Sequence, residues 1–179
     1  MTKLISLLAI ISTLLSAPIF AETLKVASWN IAWLGSHEYN QRKAADYQKL
    51  ARYARELDAD VIALQEVESE KWAKKVFGDE YDYFFTTKDW VQRVGVAVRK
   101  SSGYKANAIE YRELDQGLAR RGMDVTLTKD GKSVRLLAVH MKSGCFDKAL
   151  DQGSIANMPN TNEKEAYAKA ACAELAKQA

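Results

Sequence analysis

The chain has 179 residues, of which 47% are hydrophobic and 27% charged, a balance that excludes a disordered, collagen-like or multi-span membrane protein and fits one globular domain. Lys and Arg (26) exceed Asp and Glu (23) by three, too small an excess for charge alone to name nucleic acid as a partner. Two cysteines, Cys145 and Cys172, exclude a Cys-rich zinc module and leave one disulfide or two free thiols.

The N-terminus bears on that choice. Lys3 precedes a nearly unbroken apolar run from Leu4 to Leu15, and small residues lead to Ala21 ahead of the polar Glu22 and Thr23. This pattern predicts a secretory signal peptide over residues 1–21, with 22–179 as the exported domain, secreted or periplasmic, and no stable membrane association after cleavage. An uncleaved anchor is the alternative, at the lower limit of length for spanning a bilayer. In an oxidising compartment the two cysteines are expected to pair.

Leu24–Asn30 alternates and predicts a strand. Residues 36–77 hold no Gly or Pro, and Tyr47, Leu50, Ala51, Ala54 and Leu57 form the apolar stripe of an amphipathic helix that breaks at Asp58–Asp60. The short β-branched run Val61–Leu64 reads as a buried strand, so the three make a βαβ unit with parallel strands. A short helix over Glu68–Phe77 is closed by Gly78. Tyr81–Thr87, Val94–Lys100 and Lys105–Tyr111 read as meandering antiparallel strands. Met123–Thr128 and Ser133–His140 flank Asp130-Gly131, the dipeptide of a type I′ hairpin turn. A loop with Cys145 follows, then a helix predicted over Glu163–Ala179.

Asn30, Glu66 and His140 each fall at or just past the end of a predicted buried strand. Parallel strands joined by a crossover end on one side of a sheet, so Asn30 and Glu66 are expected to be neighbours. A carboxylate beside an amide oxygen suits a hard cation such as Mg²⁺, with water completing the shell. Each residue also has a plainer reading: Asn30 as a turn residue, Glu66 as an early helical residue facing the dipole, His140 as a structural histidine.

The segments Val26–Ile31 (VASWNI), Ala63–Val67 (ALQEV), Gln92–Val98 (QRVGVAV) and Leu137–Cys145 (LAVHMKSGC) occur in the order and approximate spacing of the endonuclease/exonuclease/phosphatase family, the DNase I-like fold, which the chain resembles from about Leu24 onward. It is similar in particular to secreted bacterial members with a second cysteine downstream. The resemblance implies an α+β fold, a two-sheet β-sandwich flanked by helices in αββα layers, and a metal-dependent phosphodiesterase acting on nucleic acid ahead of lipid head groups or other phosphoesters. It implies that Asn30 and Glu66 hold the cation, Mg²⁺ with Mn²⁺ or Ca²⁺ as alternatives. His140 would contact or protonate the scissile ester, and Arg120 or Arg121 would fix a phosphate oxygen. Such parts suit in-line phosphoryl transfer, where cation and Arg neutralise developing charge.

Two family features do not occur: a GDFN-like segment, and a late Asp-His pair whose His activates water. The chain is therefore expected to be C-terminally incomplete, to bind metal weakly and to turn over little. It is also expected to leave apolar sheet surface uncovered and to aggregate when expressed alone. Leu24, Val26, Val94, Val96, Leu137 and Val139 are expected on inner or helix-covered faces. The alternative function is a non-catalytic secreted binding domain that keeps the family core. Lys142, Arg93, Arg120 and Arg121 either line a phosphate-binding face or belong to a solvated surface.

Overall fold

The computed structural model describes residues 23–88, 91–115 and 120–141. The expected signal peptide over residues 1–21, Lys142, both cysteines and the helix expected over Glu163–Ala179 lie outside the described residues. Among the described residues no helix is long and apolar enough to cross a membrane.

Strand β1 (Val26–Leu34) leads through a 3₁₀ turn (Glu38–Asn40) to helix α1 (Ala44–Leu57), then β2 (Val61–Val67), α2 (Glu70–Phe77), β3 (Tyr81–Phe85) and β4 (Arg93–Arg99). Strands β5 (Lys105–Tyr111), β6 (Gly122–Lys129) and β7 (Lys132–Ala138) follow. The first sheet has the order β1-β2-β4-β3 and the second β5-β6-β7. β1 and β2 are parallel and all other neighbours antiparallel. The expected βαβ unit is present. The expected meander is split: β4 inserts between β2 and β3, and β5 belongs to the other sheet.

Two cores lie on the two faces of the first sheet. On one, Ile62, Leu64 and Val67 of β2 meet Ala54 of α1 and Ala73, Val76 and Phe77 of α2. On the other, Val61, Val94, Val96 and Val98 meet Met123, Val125, Leu127 and Ala138 of the second sheet. The result is a helix layer, a sheet and a second sheet, each face buried because period-2 strands and a 3.6-period helix present their apolar sides to it.

Local chemistry explains the joints. The Asp46 carboxylate accepts from the Lys43 N–H at 2.9 Å where α1 begins, and Asp58, in the left-handed region, ends the helix. In the β6–β7 turn Asp130 and Gly131 have φ of 48° and 74°, the two positive angles that a type I′ turn needs. Gly95 on β4 lies under Phe85, where an added Cβ would come within 2.4 Å of the ring, so only glycine fits there.

The inner-face expectation is corrected at Leu137, which is 47% exposed, whereas Val26 lies on the face of β1 that Ser28 shares, as expected, but is left 51% exposed there. Leu136 and Ala138 face the partner sheet instead, because adjacent Leu136 and Leu137 leave the strand's phase ambiguous and a one-residue slip exchanges its faces. Val94 and Val96 are buried as expected.

Candidate functional site

The strand registers bring the C-terminal ends of β1 and β2 to the start of β4 in one sheet and the start of β6 to the end of β7 in the other, and the approach of His140 to Glu66 puts both on one edge of the sandwich. Asn30 pairs with Gln65 across β1 and β2. The Gln65 amide donates to Ser28 Oγ at 3.2 Å, so Ser28 and Gln65 share a face. Alternation puts Asn30 on that face too, the one that looks toward the second sheet.

Regular alternation would turn Glu66 the other way, with Ile62 and Leu64 under the helices. A β-bulge prevents this. The β2–β4 register shifts between Gln65 and Val67, and Glu66 takes φ of 59°. Val67 drops back into the helix-side core, and the Glu66 carboxylate is delivered to the second sheet, where Oε1 stands 3.6 Å from His140 Nε2. The distance is an ion-pair approach rather than a hydrogen bond. The side chains are 14% and 16% exposed, and His140 Nδ1 is shut off from solvent.

β1 is irregular at the same level. Its register with β2 shifts between Asn30 and Leu34, and Ala32 and Trp33 take φ of 48° and 61°. Left-handed non-glycine residues cost about 1–3 kcal/mol each, so surrounding bonds must hold them. The Asn30 Oδ1 accepts from the Ala32 N–H at 2.9 Å. The Arg42 guanidinium donates to the carbonyls of Trp33 at 3.3 Å and Ala32 at 2.9 Å, and to that of Ile31; Asn40 Nδ2 also donates to the Ala32 carbonyl. The Glu68 carboxylate accepts from the N–H and the hydroxyl of Ser36, and the Glu68 N–H donates to the Leu34 carbonyl at 2.9 Å. These bonds stitch the two loops together. Burial raises the Glu68 carboxyl, but the Ser36 donors, the Trp72 indole and the Arg93 charge outweigh it and hold it below the usual carboxylate range.

The two arginines before β6 part ways. Arg120 donates to the Gln92 side chain just ahead of β4, and its Nε and Nη1, like Nε of Arg93, are closed off from solvent. Arg121 joins a carboxylate network: Nε to Asp115 at 2.8 Å, Nη1 to Glu110 at 3.1 Å and to Thr87 Oγ1 at 3.2 Å. Lys88 pairs with the same Asp115 at 2.5 Å.

Asn30, Glu66 and His140 thus share one edge, with Arg120 entering from the strand beside His140. For a divalent cation the donor set fits in part. Glu66 offers a carboxylate, and Asn30 Oδ1 keeps a second lone pair beyond the bond from Ala32. Among the described residues no three His, Cys, Asp or Glu side chains cluster as ligands, so the pair suits a hard cation that keeps several waters rather than a closed protein cage. Sequence reasoning missed Arg42, Gln92 and the bulge; the proximity of Gly35 to Glu68, where a Cβ would sit 2.3 Å from Oε2, is a signal visible only in three dimensions.

No protein-family model and no curated protein matches the chain. Solved structures do. A humanized D. rerio TDP2 carrying 14 mutations is 21% identical with a TM-score of 0.54, over 67% of this chain and 48% of that one. D. rerio TDP2 complexed with single strand DNA product is 22% identical at the same TM-score, over 67% and 46%. TDP2 from C. elegans is 20% identical at 0.54, over 67% and 36%. The chain therefore spans less than half the length of these structures. Two sheets packed face to face beside helices, superposing on TDP2, make this the DNase I-like α+β fold.

Proposed function

We propose that the chain carries the cation-binding part of a divalent-metal-dependent phosphodiester hydrolase of the endonuclease/exonuclease/phosphatase family, acting on nucleic acid. The observation that carries this reading is the bulge at Glu66. A costly left-handed residue turns one carboxylate out of the helix-side core and sets it against a histidine from the opposing sheet. A structural glutamate needs no such device.

Asn30 and Glu66 would hold the cation, Mg²⁺ first and Mn²⁺ or Ca²⁺ as substitutes, which when bound supplies Lewis-acid neutralisation of phosphate charge. His140 Nε2, on the same edge, is placed to donate to a phosphate oxygen. Arg120, which donates to the Gln92 side chain just ahead of β4, would contribute positive charge to the phosphate, while Arg121 is held by Glu110 and Asp115. Support for nucleic acid comes from the similar D. rerio TDP2, whose structure holds a single strand DNA product.

The same reading includes export after cleavage of residues 1–21 and a Cys145–Cys172 bridge. Mass spectrometry of unreduced secreted protein tests both: the expected mass lacks residues 1–21 and two hydrogens, and two alkylatable thiols in the folded protein would refute the bridge.

The functional test is a titration with Mn²⁺ followed by paramagnetic resonance, alongside cleavage of plasmid DNA with Mg²⁺. Glu66→Ala is expected to weaken Mn²⁺ binding at least tenfold, and any cleavage is expected to vanish in His140→Ala. Unchanged Mn²⁺ affinity in Glu66→Ala sinks the metal site. DNA binding that is indifferent to metal and to both substitutions would instead favour a non-catalytic binding domain.

A further inference from the structure

Arg42 belongs to no motif, lies twelve residues from Asn30 in sequence, and precedes α1 by two positions. Its guanidinium nonetheless donates to three successive carbonyls of β1: those of Ile31, Ala32 and Trp33. Successive carbonyls of an ordinary strand point to alternate sides, so one planar fork cannot reach three of them. They converge here because Ala32 and Trp33 are left-handed. That backbone also brings the Ala32 N–H round to Asn30 Oδ1, which orients the Asn30 amide with its oxygen, not its nitrogen, on the backbone donor.

We propose that Arg42 is a positioning residue for the cation end of the site. It holds Ala32 and Trp33 in the left-handed turn whose Ala32 N–H orients the Asn30 amide oxygen at the edge that Glu66 shares. The proposal rests on the reading of Asn30 and Glu66 as cation ligands. The guanidinium is half-buried and both Nη atoms are occupied by carbonyls, which places it behind the ligand rather than on the substrate. α1 supplies the anchor: Tyr47 and Leu50 pack into the helix-side core, so the docking of the helix sets the position of the guanidinium.

The experiment is Mn²⁺ affinity in the full chain, with circular dichroism and a thermal melt for each variant. Arg42→Ala is expected to lower affinity by about tenfold to a hundredfold, the range for residues that orient a metal ligand. Arg42→Lys is expected to fall almost as far, because one ammonium cannot span three carbonyls. The distinguishing variant is Ala32→Gly in the Arg42→Ala background. Glycine takes the left-handed conformation without steric cost, so if Arg42 acts by holding that conformation, the double variant recovers to within about threefold of the wild type. A double variant as weak as Arg42→Ala overturns the proposal, and so does wild-type affinity in Arg42→Ala. Where Arg42→Ala does not give a native dichroism spectrum, the same comparison is made with Arg42→Lys and Ala32→Gly/Arg42→Lys. Glu66→Ala serves as the reference: if it too binds Mn²⁺ like the wild type, the failure belongs to the ligand assignment and not to Arg42.

Discussion

The two ends of the first sheet solve the same problem differently. At the end where β2 begins, polar groups cancel one another. Lys25 Nζ reaches Asp58 at 2.8 Å and Arg99 Nη2 reaches the same carboxylate at 3.1 Å. The Lys25 N–H donates to Asp60, and Tyr81 Oη and Arg99 Nε both donate to the Ala59 carbonyl. The left-handed residue here is Asp58, a type that tolerates the conformation and merely stops a helix. At the end where β2 finishes, the left-handed residues are Ala32, Trp33 and Glu66, types that resist it, and the carboxylate so turned meets a histidine beyond hydrogen-bond distance. Strain at one end terminates a helix; at the other it aims a side chain. The contrast shows where the fold gives up stability for geometry.

Four changes break or sharpen this contrast, in falling order of effect. Leu64, fully buried under the helices midway between the ends, supports both, and Leu64→Ala is expected to cost about 2–5 kcal/mol in chemical denaturation, with hydrogen exchange quickening at both ends together. Quickening at one end alone would show that the ends unfold independently. Glu66→Gly is expected to separate function from stability, gaining about 1 kcal/mol as the left-handed strain is relieved while Mn²⁺ affinity is lost. A destabilised Glu66→Gly would mean that the bulge is held by its side chain rather than in spite of it.

At the opposite end, Tyr81→Phe is expected to cost about 0.5–1 kcal/mol for one buried hydrogen bond and to leave Mn²⁺ affinity untouched; a change in affinity would tie the two ends together. The smallest effect is in acid. Lys88 and Arg121 hold Asp115 below its usual value of 3.8, whereas burial raises Glu110 but the Thr87 and Arg121 donors outweigh it and keep it below 4.5. Carboxyls depressed in the folded state add stability that is complete above those usual values and disappears as pH falls through the depressed ones. The melting temperature is therefore expected to drop below about pH 4.5, and less steeply in Glu110→Gln. Equal slopes for the two proteins would remove Glu110 from the account.

Much of the scaffold was legible because its signals are local. The stripe from Tyr47 to Leu57 and the break at Asp58 located α1, and Asp130-Gly131 located the β6–β7 hairpin to the residue. The parallel pairing of β1 and β2 followed from their crossover and placed Asn30 beside Gln65, one residue from the expected Glu66. What escaped is long-range. Nothing in the run Gln65-Glu66-Val67 announces a bulge, since the extra residue is defined by its partner Arg93 on β4. Period-2 reasoning puts Glu66 on the wrong face. Arg42 reads as one of many cations on a helical segment, and its role exists only once β1 turns left-handed beside it. The outer position of Leu137 escaped for a related reason, as two adjacent leucines satisfy either phase.

The connectivity that splits the site between two sheets also gives its assembly an order in time. His140 follows a hairpin whose strands are joined by two residues, and hairpins close in about 1–10 μs. Glu66 depends on a parallel pairing that must first close the whole β1–α1–β2 crossover, and non-local pairing of this kind is the slow step of folding. Pulse-labelled hydrogen exchange during refolding is expected to protect Val125 and Leu136 before Ala27 and Ala63, and the reverse order would contradict it. Carboxylate and histidine meet only when the sheets dock, so a nascent chain has no cation-binding edge until it is nearly native.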